Sequence, residues 1–188
     1  MKILGAGLSK TGTTSLARAL GILGYETLHC DQQRLNDIIY GVDNDPNFRL
    51  YDDVDAVTDL PTAYFYRELV DAYPDLLVIL TVRPEDAWWR SVGHHFNRAH
   101  PVTDPVRDKF RWRLRNLAYG SPVAHEFLFR KRFREHNEAV IGTVDPERLL
   151  VLDITTVDGW EKLCGFLREP IPGIEFPHEN KTMGTPSS

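Results

Sequence analysis

The sequence predicts an α/β fold of three layers, a mostly parallel central sheet flanked by helices. Three observations carry this. The run Leu76–Val82 (LLVILTV) is apolar on both faces, as a strand inside a covered parallel sheet must be. Short strand-like runs alternate along the chain with segments of helical spacing, which winds helices onto both faces of a sheet. A glycine-rich segment, Gly5–Ser15, joins the first strand to the first helix.

Taken in order, Lys2–Gly5 reads as the first strand. Thr13–Leu23 has Leu16, Leu20 and Leu23 on one stripe and Gly24 as a stop, which predicts a helix. A strand at Tyr25–His29 precedes a helix over Asp31–Tyr40 with Asp31 at its cap, and Asn44–Asn47 is turn chemistry. Ala56–Thr58 is a short strand, followed by a helix from about Thr62 to Ala72 with Pro61 at its start. Beyond Leu76–Val82 come a helix over Pro84–Arg98, a break at Pro101–Pro105, and two helices over Val106–Tyr119 and Val123–Ile141. Leu149–Leu152 is the last strand and Val157–Leu167 the last helix. Residues 170–188, rich in Pro, Gly and polar types, read as a tail or lid on a single domain spanning residues 1–188.

A chain of 188 residues fits one such domain. Hydrophobic residues at 42% and charged residues at 26% describe an ordinary globular core. The net charge of −5 argues against a general nucleic-acid binder, whose footprint is basic. Arginines nevertheless crowd between Arg83 and Arg134. Most read as solvated helix faces, with a subset able to steer an anionic ligand. Cys30 and Cys164 lack the number and spacing of a disulfide framework and suit a reducing cytoplasm, the expected location. There is no run of about 20 apolar residues and no signal-peptide pattern, so a soluble protein away from the membrane is expected.

The loop reads Gly5-Ala-Gly-Leu-Ser-Lys10-Thr-Gly-Thr-Thr-Ser15. Glycines let backbone N–H groups turn toward a ligand, the helix start adds unpaired donors, and Lys10 adds a full charge. Thr11, Thr13, Thr14 and Ser15 add hydroxyls. Together these make a polyanion cradle, which several loop families share. A nucleotide triphosphatase loop needs GxxxxGK[ST], whereas here Lys10 precedes Gly12. A dinucleotide loop needs a third glycine where Lys10 stands, although Asp31 sits where a ribose-binding acid belongs. A third pattern, K-[ST]-G-T-[ST], is matched throughout by Lys10–Thr14.

A second element follows the strongest strand. Arg83 falls at that strand's carboxyl end, where open α/β sheets bind ligands, and Ser91 lies about two helical turns further on. An arginine with a hydroxyl suits a ribose 3′-phosphate. In this order and spacing the chain resembles the PAPS-dependent sulfotransferases (PAPS, 3′-phosphoadenylyl sulfate), specifically a bacterial-type branch that opens GLxKTGTTSL on a P-loop NTPase-like fold. The resemblance implies that Lys10, Thr11, Gly12, Thr13, Thr14 and Ser15 bind the donor's 5′-phosphosulfate, and that Arg83 and Ser91 bind its 3′-phosphate. It implies release of PAP, no metal, and a small-molecule acceptor offering a hydroxyl or amine. Phe176–Asn180 looks like a recurrent motif of the branch. The Arg-Lys-Gly loop of the cytosolic branch is absent, which leaves Lys181 and Arg168 as candidates for further phosphate contact.

Lys10 is the expected catalytic cation, stabilising charge on the leaving phosphate. His94 and His95 are adjacent and so diverge on a helix, a poor metal pair. For the base, cytosolic relatives carry a histidine in Thr-His-Leu-Pro, where this chain has Thr58-Asp59-Leu60-Pro61. An ordinary aspartate is a weak base near neutral pH, so that role calls for burial to raise its pKa. Other branches use a carboxylate after the second strand, where Asp31 stands beside His29. Asp59 ranks first and Asp31 second, with a helix cap as the competing reading of each. Tyr64, Phe65, Tyr66, Trp88, Trp89 and Phe96 are either core or acceptor pocket. The rival functions are an ATP-using kinase or hydrolase and a non-catalytic protein that binds PAP or a related nucleotide.

Overall fold

A computed structural model describes residues 1–97, 105–156 and 158–179. Five strands, β1 (Ile3–Gly5), β2 (Thr27–His29), β3 (Ala56–Thr58), β4 (Leu77–Thr81) and β5 (Leu149–Leu152), form one sheet in the order β2-β3-β1-β4-β5. Every pairing is parallel. Gly5 and His29 both register with Thr58, so β1, β2 and β3 end level with one another. The strand order reverses between β1 and β4, and the carboxyl ends of strands at such a switch point frame a crevice.

Successive strand side chains point to opposite faces, and this sorts the core into two layers. Leu4, Val57, Val78 and Leu80 face one layer; Ile3, Ala56, Ile79, Leu150 and Leu152 face the other. The first is covered by α2 (Asn36–Ile39), α3 (Tyr66–Ala72), α4 (Glu85–Asn97), α5 (Pro105–Tyr119) and α6 (Glu126–Thr143). The second is covered by α1 (Thr13–Ile22) and α7 (Trp160–Leu167). The three-layer α/β expectation holds.

Several boundaries differ from those expected. The helix expected over Asp31–Tyr40 is confined to Asn36–Ile39, because the Asp31 carboxylate accepts from the N–H groups of Gln33 and Arg34 and holds a turn there. The helix expected from Thr62 begins only at Tyr66. Asp59 has a left-handed backbone, and Thr62 and Ala63 bond back to its carbonyl, which makes residues 59–65 a series of turns. Residues 123–125 precede α6, whose first turn starts after extended His125. Pro105 opens α5 rather than closing a break, and Pro101 with residues 102–104 lies outside the described residues, as do Arg98 and Val157.

Two of the crowded arginines tie helices together. Arg130 pairs with Glu85, Asp86 and Glu126, and Arg134 with Glu85, which fastens α6 to the start of α4. Beneath them Trp88 stacks on Phe133 at 4.2 Å and Tyr119 on Phe129 at 4.5 Å. Of the six aromatics weighed for an acceptor pocket, Phe65, Tyr66 and Trp88 are core, and only Phe96 lines the central cleft.

Candidate active site

The loop after β1 is pinned from behind. Ala6 N–H donates to the Ile79 carbonyl, and the Ala6 carbonyl accepts from His136 Nε2 at 2.7 Å. Burial lowers the His136 pKa, with the Ala6 bond opposing, so the neutral ring is the donor. Trp88 Nε1 donates to the Ser9 carbonyl at 3.0 Å, and Arg83 Nη1 reaches the Lys10 carbonyl at 3.4 Å. Thr11 is wholly buried: its hydroxyl donates to the Leu8 carbonyl and lies 2.6 Å from Thr81 Oγ1. It stands behind the loop, away from the cleft. Gly7 is required by the same close approach, since a Cβ there would lie 1.9 Å from Thr81 Oγ1.

The front of the loop is open. Gly12, at φ 102°, turns the chain into α1, whose first intrahelical bond is Leu16 N–H to the Gly12 carbonyl. The N–H groups before it belong to the helix start, the positive end of the helix dipole. Ser9, Lys10, Gly12, Thr13, Thr14 and Ser15 line a cleft of about 530 Å³. Burial lowers the Lys10 pKa, Asp59 opposes that, and Arg83 adds to it.

Asp59 is the acid at the centre of this cleft. It is 9% exposed. Its Oδ1 accepts from Ser9 Oγ at 2.6 Å and from Leu60 N–H at 2.7 Å; its Oδ2 accepts from Thr13 Oγ1 at 2.9 Å. Each carboxylate oxygen has two acceptor sites, so Oδ1 is filled and Oδ2 keeps one. His29 Nε2 stands 3.8 Å from Oδ2 and 3.3 Å from Thr14 Oγ1, while its Nδ1 meets Thr58 Oγ1 at 2.8 Å.

Asp31 is placed elsewhere. Besides its turn it accepts the buried hydroxyl of Tyr51 at 2.9 Å, and it is absent from the cleft wall. Replacing it with alanine would orphan that hydroxyl, at a cost of about 1–3 kcal/mol. Asp31→Ala is therefore expected to lower Tm while leaving turnover per folded molecule unchanged, as measured by thermal unfolding beside an activity assay. Turnover lost at full folding would return Asp31 to the chemistry.

Three residues other than glycine with left-handed backbones stand on this cleft: Lys10 (φ 74°), Cys30 (φ 55°) and Asp59 (φ 70°). Cys30 and Asp59 directly follow the ends of β2 and β3, and Lys10 lies in the loop after β1. Such conformations cost on the order of 1–3 kcal/mol and gather at functional sites.

On the β4 side, Arg83 and Ser91 line the cleft with Ile154 and Thr155. Arg83 Nε is buried with no hydrogen-bond partner among the described residues, and burial lowers this guanidinium's pKa, with Asp153 opposing and Arg90 adding. The cleft is lined further by Cys30 and Gln32 after β2, by Phe96 near the end of α4, and by Phe110, Arg111, Leu114 and Arg115 of α5. The C-terminal segment closes a third side. Phe176 packs on Trp160 at 4.8 Å, Glu179 N–H donates to Ser15 Oγ at 2.9 Å, and Glu179 pairs with Arg18. Arg168 ends α7 away from the cleft, and Lys181 lies outside the described residues.

A sulfotransferase domain model matches residues 2–185. The chain belongs to the sulfotransferase family. This family member is also 30% identical over 220 residues to Ava biosynthesis cluster protein M of Aspergillus versicolor, with 95% of this chain and 80% of that protein covered. In this sulfotransferase the described residues hold no group of three or more His, Cys, Asp or Glu side chains placed to share a metal ion. No described helix is long and apolar enough to cross a membrane.

Sequence reasoning missed Ser9, Arg111, Arg115, His178 and Glu179 as cleft residues. Ser9 counted as an unconstrained loop position, and its partner Asp59 is fifty residues away. The arginines did carry a signal, since Arg111 and Arg115 flank Phe110 and Leu114 at helical spacing.

Proposed function

We propose that this sulfotransferase moves a sulfuryl group from PAPS to a hydroxyl or amine of a small molecule and releases PAP. The observation that carries the reading is the second anion site. Arg83, whose buried Nε has no partner among the described residues, shares a cleft wall with Ser91, across the strand-order switch from the loop. A nucleotide with phosphate at both ends of one nucleoside fits two such sites. The biosynthetic name of the fungal relative agrees with a small-molecule acceptor.

The donor supplies an activated sulfuryl group. Gly12, Thr13, Thr14 and the α1 start hold its 5′ end, and Ser15 is shared with the C-terminal segment. Lys10 faces the charge that gathers on the leaving phosphate as the S–O bond breaks. Asp59 Oδ2, with its open acceptor site, takes the proton of the attacking hydroxyl as the new O–S bond forms. His29, near that oxygen, positions the Asp59 and Thr14 side chains.

Nucleotide binding tests the assignment. At 100 times Kd a ligand stabilises by about 2.7 kcal/mol, which is roughly 5–10 °C in Tm for a chain of this size. PAP is expected to give a shift in that range at millimolar concentration, with AMP and NAD giving much less. Equal shifts for AMP and PAP would remove the Arg83–Ser91 site, and a larger shift with ATP than with PAP would favour the kinase or hydrolase reading.

A further inference from the structure

Among the described residues four lysine and arginine side chains line the cleft, Lys10, Arg83, Arg111 and Arg115, and the donor site described above uses two of them. Arg111 and Arg115 lie one turn apart on α5. Cys30 and Gln32, which also line the cleft, follow the edge strand β2, three places along the sheet from β4 and Arg83. Arg111 acts electrostatically on the Cys30 thiol, which places its charge on that side. Asp59 follows β3, between the two ends.

The pair is under-neutralised. Among the described residues Arg111 has only Asp108, at 3.9 Å, the outer limit of an ion pair. Arg115 has no carboxylate within ion-pair distance among the described residues; its guanidinium lies 4.3 Å from the Phe96 ring centroid and donates weakly to the Pro122 carbonyl at 3.5 Å. Burial and then repulsion by Arg111 lower the Arg115 pKa, with Tyr119 and Asp108 opposing. Other arginines of this region are spent: Arg113 donates to the Ile39 and Tyr40 carbonyls and covers Tyr40, and Arg130 holds three carboxylates. Two guanidiniums held together on a cavity wall cost energy that an anion between them recovers. Phe96, Phe110 and Leu114 surround them with apolar surface.

From this geometry we infer that Arg111 and Arg115 form an acceptor subsite for an anionic group, so that the acceptor is a hydroxy compound with an apolar or aromatic body and a carboxylate or phosphate. This rests on the sulfuryl-transfer reading for the word acceptor, though not for the anion preference. The hydroxyl then points toward Asp59, and the anionic end toward α5. Guanidinium forks grip planar carboxylates and phosphates in two-point fashion, which fixes orientation.

The test is calorimetric titration of the full chain, free and PAP-loaded, with three matched probes: 4-hydroxyphenylacetate, its primary amide, and 4-hydroxybenzylphosphonate. The carboxylate or the phosphonate, whichever source the subsite prefers, is expected to bind at least tenfold tighter than the amide. Arg111→Gln/Arg115→Gln should bring the ratio within twofold and leave PAP affinity within threefold. Arg115→Lys, which keeps charge and loses the Phe96 contact, should retain a preference for the anion and guards against a folding artefact. Anion and amide binding alike to both free and PAP-loaded wild type would overturn the subsite. So would a double variant that loses PAP as strongly as the anion, since the guanidiniums would then belong to the donor. Wild type that fails to bind PAP while preferring the anion would sink the donor reading alone.

Discussion

Lys10→Ala is expected to reduce sulfuryl transfer by about 10²–10³-fold, the scale seen when one donor to a developing anion is removed. The fold should survive, because the Lys10 carbonyl, not its side chain, makes the bond to Arg83, and the neighbouring loop carbonyls are held by Trp88 and His136. Single-turnover rates with radiolabelled donor, read beside PAP titrations, separate chemistry from binding. A drop in affinity with an unchanged rate at saturation would make Lys10 a binding residue only. Its lowered pKa adds a pH signature. Because the ammonium is lost at a lower pH than an ordinary lysine's, wild-type PAP affinity should weaken on the alkaline side sooner than an exposed lysine would allow. In Lys10→Ala that limb should be flat.

The second large effect belongs to Asp59→Asn. General-base removal costs about 10²–10⁴-fold, and the amide is close enough in shape to keep the contacts around it. With the amide oxygen at the Oδ1 position, the bonds from Ser9 and the Leu60 N–H persist, and the Thr13 hydroxyl can turn to accept from the amide nitrogen at the Oδ2 position. The expected variant therefore binds PAP within about threefold of wild type and transfers at least 100-fold more slowly. Transfer at the wild-type rate would reduce Asp59 to a clamp between the loop and β3. A variant that loses PAP binding and transfer together would show the same clamp from the other direction.

The sheet was legible because buried strands and their following helices write distinct periods into the chain. Leu77–Thr81 and Leu149–Leu152 needed nothing beyond local apolarity. The place of Arg83 on the cleft wall was legible too, because it follows from standing at a strand's end at the switch point. What local pattern could not supply was the partner across the fold. In sequence Asp31 and Asp59 are each an acid just past a strand, and each has a helix cap as its competing reading. Tyr51 consumes one, whereas Ser9 and Thr13 set the other into the cleft with a lone pair to spare. Thr11 looked like its neighbours Thr13 and Thr14 until Thr81 drew it behind the loop. The α5 arginines were ambiguous for a related reason. Phe110, Leu114 and Ala118 mark the buried stripe, but residues at its margin face either water or a cavity, according to what lies opposite.

The Thr11–Thr81 contact reaches further than the loop. Thr81 ends β4 and Arg83 follows two residues later, while Arg83 also touches the Lys10 carbonyl. On the proposed donor reading, the loop and Arg83, the two anion sites, are thus both fastened to the end of one strand. The cleft would then act as a gauge of span, selecting a ligand by the distance between its charged ends, so a nucleotide with more total charge on one end would gain nothing from it.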